Sequence, residues 1–238
     1  MKVLSIVCAR AGSKGMNNKC IAEINNKMVV EYSIEYSLSL GDDVETVVST
    51  DIEELIEYCR KNNINYIKRD PKFCTDDCKI DDAIAEVLGK REIDYPLCSL
   101  VYGNIPTRYS CIFFETLSFL EANNGFDAAI SMQNVEKYHP AWMFEFNDEV
   151  LPKEKEAHYR RQMLPQMMIH DGHTLIFKSK EFINKYKGLI SYNSEYKYSI
   201  YGDRIKPIIN DKVIIDIDTR KELELAGAVI TNYKAKVI

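Results

Sequence analysis

The 238 residues carry 31 Lys and Arg against 36 Asp and Glu, a formal net charge of -5, and 46% of them are hydrophobic. That is enough chain for one large globular domain, 1–238, and its acidity argues against a nucleic-acid polymer as partner, which needs a broad basic face. No apolar run is long enough to span a bilayer, Met1-Lys2 leads straight into a strand-like run, and seven cysteines, several inside apolar patterns, read as reduced core thiols, so a cytoplasmic protein with no membrane partner is expected.

Val3 to Cys8 reads as a buried strand, and Ala9 to Lys19 as the loop leaving its carboxyl end, where open α/β sheets bind ligands. Arg10, Lys14 and Lys19 bring three cations to this loop, while Gly12 and Gly15 let a ligand approach the main chain. A polyphosphate suits such a loop. Its glycines are too close together for a GxxxxGK[ST] P-loop, no Ser or Thr follows Lys19, and the GxGxxG dinucleotide fingerprint is absent.

Further along, strand and helix alternate. Ile21 to Ile24 is a short extended piece turning at Asn25-Asn26, and Val30, Ile34 and Leu38 recur at helical spacing. Val44 to Ser49 is a second buried strand, and Ser49-Thr50-Asp51 is N-cap chemistry for a helix with Leu55, Ile56 and Cys59 on one face. A third strand runs from Ile64 to Ile67. Arg69, Pro71 and the acidic turn Thr75-Asp76-Asp77 come next, with Arg69 open to two readings, a ligand contact or a surface ion pair. Ile80 to Leu88 is helical, and Cys74 and Cys78 lack the second Cys/His pair of a zinc site.

Leu97 to Tyr102 reads as a central strand that delivers Gly103-Asn104-Ile105-Pro106-Thr107-Arg108 at its end, before a helix through Ile112 and Leu120. After the strand from Asp127 to Met132 the alternation breaks, and 133–166 reads as an excursion of extended pieces with a charged tip. His170 and His173 make at most half a metal site, Thr174 to Phe177 is a strand, and no role emerges for 181–203. Ile205 to Ile209 and Val213 to Ile215 read as closing strands. In Ile215-Asp216-Ile217-Asp218-Thr219 the alternation predicts a strand with both carboxylates on one face, and such neighbours repel unless something positive sits between them. A last helix carries Leu223, Ala226 and Val229.

The first loop resembles the ARxGSKGxxxKN signature of the acylneuraminate cytidylyltransferase family, the CMP-sialic acid synthetase-like proteins. Arg10, Gly12, Ser13, Lys14, Gly15 and Lys19 stand in place, and Cys20 replaces the usual Asn. Further down, Ser49-Thr50-Asp51 matches the family's STD, Arg69-Asp70-Pro71 with Asp76 is similar to its RP…D segment, and Asp216 to Thr219 matches its DIDT residue for residue. The QPTSPLR-like loop is partly matched by Tyr102 to Arg108, with Tyr102 where a sugar-contacting Gln is common. The RxxLPxxxxxNGAxY pattern fits with Arg161 in place and Asp171 where Asn is usual.

The resemblance implies an α/β fold of nucleotide-diphospho-sugar transferase type, a Rossmann-like, mostly parallel sheet with helices on both faces, and makes 133–166 an inserted arm for a homodimer. Residues alone leave that arm a surface hairpin. CTP and a sugar acid are the implied partners and Mg²⁺ the cofactor. Arg10, Lys14 and Lys19 would be catalytic, and with Ala11, Gly12, Ser13 and Arg69 would bind the nucleotide. Tyr102, Asn104, Arg108, Arg161, Gln162 and Asp171 would bind the sugar, and Asp216 and Asp218 would hold the metal. The expected reaction is attack by the anomeric hydroxyl of a 3-deoxy-2-ulosonic acid on the α-phosphorus of CTP, releasing pyrophosphate. A nucleotidyltransferase acting on a sugar 1-phosphate and a catalytically silent nucleotide- or sugar-binding homologue are the alternatives. The reading requires positive groups from the first loop and acids from near the far end of the chain to converge.

Overall fold

The apolar run Val3–Ala9 forms β1, buried along its whole length as a strand in the middle of a parallel sheet must be. The computed structural model describes residues 2–12, 15–91, 95–153, 160–188 and 199–234. A short hairpin, β2 (Glu23–Ile24) and β3 (Lys27–Met28), turns through Asn25 and Asn26 at positive φ, as a two-residue turn of its twist requires. Helix α1 (Val29–Leu38) leads to β4 (Val44–Thr50), and α2 (Glu53–Lys61) leads to β5 (Tyr66–Lys68). Then come α3 (Ile80–Gly89), β6 (Leu97–Tyr102), α4 (Ser110–Ala122) and β7 (Ala128–Asn134).

The excursion after β7 contains the hairpin β8 (Phe144–Asn147) and β9 (Glu149–Pro152), whose every residue is exposed. The chain returns through β10 (Met168–Lys178), α5 (Ser179–Tyr186), β11 (Ile205–Ile209) and α6 (Arg220–Lys234).

Seven strands form one sheet in the order β11-β7-β10-β6-β1-β4-β5. Only β10 runs against its neighbours. One face packs α3 and α5 through Ile84, Val87 and Phe182, and the other packs α1, α2 and α4 through Ile34, Leu55 and Phe113, which is the fold class expected from the sequence. After β5 the chain crosses over β1 to begin β6. The carboxyl ends of β1 and β6 therefore flank the point where strand order reverses, and a crevice opens there.

A fourth cluster lies off the sheet, where Ile24, Val29, Leu223 and Ala226 enclose Ile215 and Ile217. Residues 213–217 are extended but form no strand, contrary to the expectation from their alternation. Their hydrogen bonds go to the loop after β6: Ile215 N–H donates to Thr107 Oγ1 at 2.9 Å and Ile217 N–H to the Asn104 carbonyl at 3.1 Å. The alternation survives without the ladder, because both isoleucines are buried while Asp216 and Asp218 face outward.

Candidate nucleotide site

A cleft of about 430 Å³ occupies the crevice, and Arg10, Lys19, Arg69, Tyr102, Asn104 and Asp218 all line it. Ser13 and Lys14 lie outside the described residues. The first loop reaches the far end of the chain directly: Lys19 Nζ donates to Asp218 Oδ1 at 2.6 Å. A Cβ added to Gly15 would stand 2.7 Å from the Asp218 carbonyl oxygen, closer than any side chain tolerates. Gly12 holds φ at +75°, a left-handed conformation that glycine adopts without strain. So the cationic loop and the acidic segment converge on one crevice.

Arg69 is only 5% exposed, which removes the surface ion-pair reading. Its Nε donates to Ser49 Oγ at 3.2 Å and its Nη2 to the Ser49 carbonyl at 3.1 Å, and among the described residues no carboxylate pairs with it. A buried guanidinium held by neutral groups leaves an uncompensated positive charge in the cleft wall, where an anion is its natural complement. Arg10 spans the mouth, with Nη2 2.7 Å from Asp76 Oδ1 and Nη1 3.2 Å from the Cys74 carbonyl. Asp51 does not cap α2, as the sequence suggested; its Oδ1 accepts from Ala11 N–H at 2.8 Å and ties down the loop. That bond also engages the Ala11 N–H, which the resemblance had offered to the nucleotide.

Cys20, in place of the family's Asn, packs against Val7, Val30 and Leu55 as a small apolar side chain, and burial pushes its thiol up to about 11. Burial likewise raises the Tyr102 phenol at the end of β6.

Two acids meet the loop at the edge of the cleft. Partial burial, followed by the neighbouring Asp218 charge, raises the Asp216 carboxyl above the usual carboxylate range, the sign of negative charge lacking a full counter-ion. Among the described residues no group of three or more His, Cys, Asp or Glu gathers as a metal site. A pair of carboxylates nevertheless suits Mg²⁺, which binds through one or two of them and takes phosphate oxygens and water for the rest of its shell. The residues present fit the ion.

Four expected sugar contacts stand differently. Arg108 donates from Nε to the Ile105 carbonyl at 2.8 Å and from its two terminal nitrogens to the His173 and Tyr102 carbonyls. It clamps its own loop, and burial lowers it to about 10. Asp171 accepts from Ser131 Oγ at 2.6 Å, from His173 N–H at 2.9 Å and from Asn210, so both its oxygens are engaged in bracing the irregular start of β10. Arg161 and Gln162 sit in an exposed turn and line a separate hollow of about 410 Å³ with Glu136 and His139, where Arg161 pairs with Glu136 at 3.2 Å.

His173 is no half of a metal site. Its Nε2 accepts from Tyr109 N–H at 2.8 Å, its Nδ1 meets Thr174 Oγ1 at 2.7 Å, and burial lowers it to about 2. The sequence reading missed the capping of α6. Glu222 accepts from the backbone N–H groups of Asp218 and Thr219, both at 2.8 Å, and Thr219-x-x-Glu222 was the available signal.

No helix among the described residues is long and apolar enough to cross a membrane. In solved structures the fold is similar to CMP:2-keto-3-deoxy-manno-octonic acid synthetase complexed with CTP, at a TM-score of 0.71 and 16% identity over 98% of this chain and 100% of that one. It is also similar to 4-diphosphocytidyl-2C-methyl-D-erythritol synthase from Anaerococcus prevotii, at 0.67 and 15% over 97% and 96%. The chain is 25% identical over 239 residues to the N-acylneuraminate cytidylyltransferase of Streptococcus agalactiae serotype V, covering 98% of itself and 54% of that protein. It thus spans about half the length of the Streptococcus agalactiae relatives it matches. With the pseudaminic acid cytidylyltransferase of Campylobacter jejuni serotype O:2 it shares 26% identity over 232 residues, 95% of both chains. Residues 4–229 match the family model described as cytidylyltransferase, and the chain belongs to that family.

Proposed function

We propose that this protein transfers CMP from CTP to the anomeric hydroxyl of a 3-deoxy-2-ulosonic acid of the acylneuraminate type and releases pyrophosphate. The observation that carries the reading is the meeting of Lys19 with Asp218 beside the uncompensated Arg69 in the crevice between β1 and β6. Positive charge for a polyphosphate and hard oxygen donors for its cation stand side by side there. The names of relatives that activate N-acylneuraminate and pseudaminic acid support the substrate class.

In this reading Arg69 and Lys19 bind the phosphates from the wall of the cleft, and Arg10 leaves Asp76 to join them. They hold the α-phosphorus still and favour the charge that builds on its oxygens during transfer. Asp216 and Asp218 hold Mg²⁺, which when bound neutralises phosphate charge and acidifies a nearby hydroxyl. The Tyr102 ring forms the wall between nucleotide and sugar. Among the described residues of the cleft no side chain stands out as a general base, so in this reading positioning and electrostatics carry the rate, as in other transfers to phosphorus. The setting is the cytoplasm, where CTP is available.

The sugar half is proposed to come from a second copy. The arm, residues 133–166, exposes Phe144, Phe146 and Val150 on one face of its hairpin, with Phe146 78% exposed, an apolar patch larger than a lone surface residue explains. Arg161 on the arm's return suits a sugar carboxylate through two parallel hydrogen bonds. Pyrophosphate release with CTP, Mg²⁺ and a panel of ulosonic acids tests the whole. Release with at least one of them is expected. Release only with a hexose 1-phosphate would move the protein to another nucleotidyltransferase class, and CTP binding with no release from any sugar would make it a silent binder.

A further inference from the structure

Asn104 is 8% exposed and hydrogen-bonds the acidic segment through both its side chain and its backbone. Its Nδ2 donates to Asp216 Oδ1 and lies 3.3 Å from the Ile217 carbonyl, while its own carbonyl accepts from Ile217 N–H at 3.1 Å. The loop is itself fixed, because Gly103 N–H donates to the Cys8 carbonyl at 2.9 Å and so ties it to the end of β1. Asp216 is therefore held beside the cleft by Asn104, which lines it, and not by a strand.

The kind of donor matters. Lys19 brings a full positive charge to Asp218. An amide fixes one oxygen of Asp216 through a neutral N–H and leaves the carboxylate charge and its second oxygen available. We propose that Asn104 is a positioning residue that orients Asp216 toward a divalent cation, its amide N–H groups committed to that segment and not to the sugar. This rests on the cytidylyltransferase reading of the cleft. With Asn104 engaged on both Asp216 and Ile217, no amide hydrogen remains directed at a substrate.

The test is Mn²⁺ binding, followed by titration calorimetry on the full chain with CTP present and no sugar, beside the sugar KM and thermal midpoint of each variant. Removing a group that orients a ligand typically weakens metal affinity about 10- to 100-fold. Asn104→Ala is expected to weaken Mn²⁺ by at least about tenfold while the sugar KM stays within about twofold and the midpoint within about 2 °C. Asn104→Thr keeps a donor hydroxyl and is expected to restore part of the Mn²⁺ affinity; it also decides the matter if the alanine variant does not fold. A raised sugar KM with unchanged Mn²⁺ affinity, in either variant, overturns the proposal. Wild-type protein that binds no Mn²⁺ with CTP overturns the reading of the cleft and the proposal with it. Wild-type binding that Asn104→Ala leaves untouched overturns the proposal alone.

Discussion

The crevice between β1 and β6 and the arm after β7 are built on opposite plans. Among the described residues at the crevice, the charged groups are held by other parts of the chain: Arg10 by Asp76, Lys19 by Asp218, Arg69 by Ser49, Asp216 by Asn104. Along the arm, β8 and β9 pair with each other and, among the described residues, with no other strand, and their apolar side chains are exposed. Among the described residues, one region has its polar groups tied together within a single chain and the other leaves its apolar side chains exposed. Binding of the nucleotide is therefore expected to follow from one subunit's own geometry, and binding of the sugar acid from assembly.

Substitutions that separate the two regions test that division. The largest effect is expected for Asp216→Asn, with kcat falling by about 10³-fold or more, the scale seen when charge stabilisation at a transferring phosphoryl group is removed. The same variant is expected to raise the thermal midpoint of the ligand-free protein by about 2 °C at neutral pH. The sign follows from the raised carboxyl. A folded-state value above the unfolded one means the ionised form opposes folding. That penalty is absent below the unfolded value and builds as pH rises from there through the folded one. A midpoint that drops in Asp216→Asn would contradict it.

Arg69→Ala is expected to raise the CTP KM by about 100-fold, equivalent to about 2.8 kcal/mol, with the sugar KM nearly unchanged. Steady-state kinetics with each substrate varied in turn distinguishes this from a general loss of fold. Phe146→Asp, on the arm, should do the reverse, leaving CTP binding intact while raising the sugar KM by about tenfold and shifting the protein toward a monomer in sedimentation. Equal effects on both substrates would erase the contrast between the regions. Smallest is Glu222→Gln at the start of α6, expected to cost about 1 kcal/mol in denaturant unfolding at pH 7. The Glu222 carboxyl is held low, first by its bond from the Asp218 backbone, so its contribution is present above the unfolded value and fades as pH falls through the folded one.

The sheet was legible because burial on both faces writes continuous apolar runs into strands such as Val3–Ala9 and Leu97–Tyr102. The first loop was legible because cations and glycines crowd together in few residues. Less of the site could be read. Asp51 has the chemistry of a helix cap, and only the fold reveals that Ala11 N–H lies nearer than the start of α2. Arg108 and Asp171 are charged residues at the right positions in a motif, yet their partners are backbone carbonyls, a serine hydroxyl and an asparagine amide brought in by tertiary packing. The run 213–217 alternates as a strand does, and what it lacks is a neighbouring strand, which periodicity does not record.

The two ion pairs across the crevice, Arg10 with Asp76 and Lys19 with Asp218, also bear on which ligands are admitted. Partly exposed pairs of this kind are each worth at most about 1 kcal/mol, so they yield easily. A bare anion that drew the cations away would strand two carboxylates beside its own charge, whereas, on the proposed reading, a triphosphate arriving with its counter-ion would satisfy both sides of the exchange. On that reading, loss of pyrophosphate with its counter-ion would leave the acids and bases free to pair with one another again.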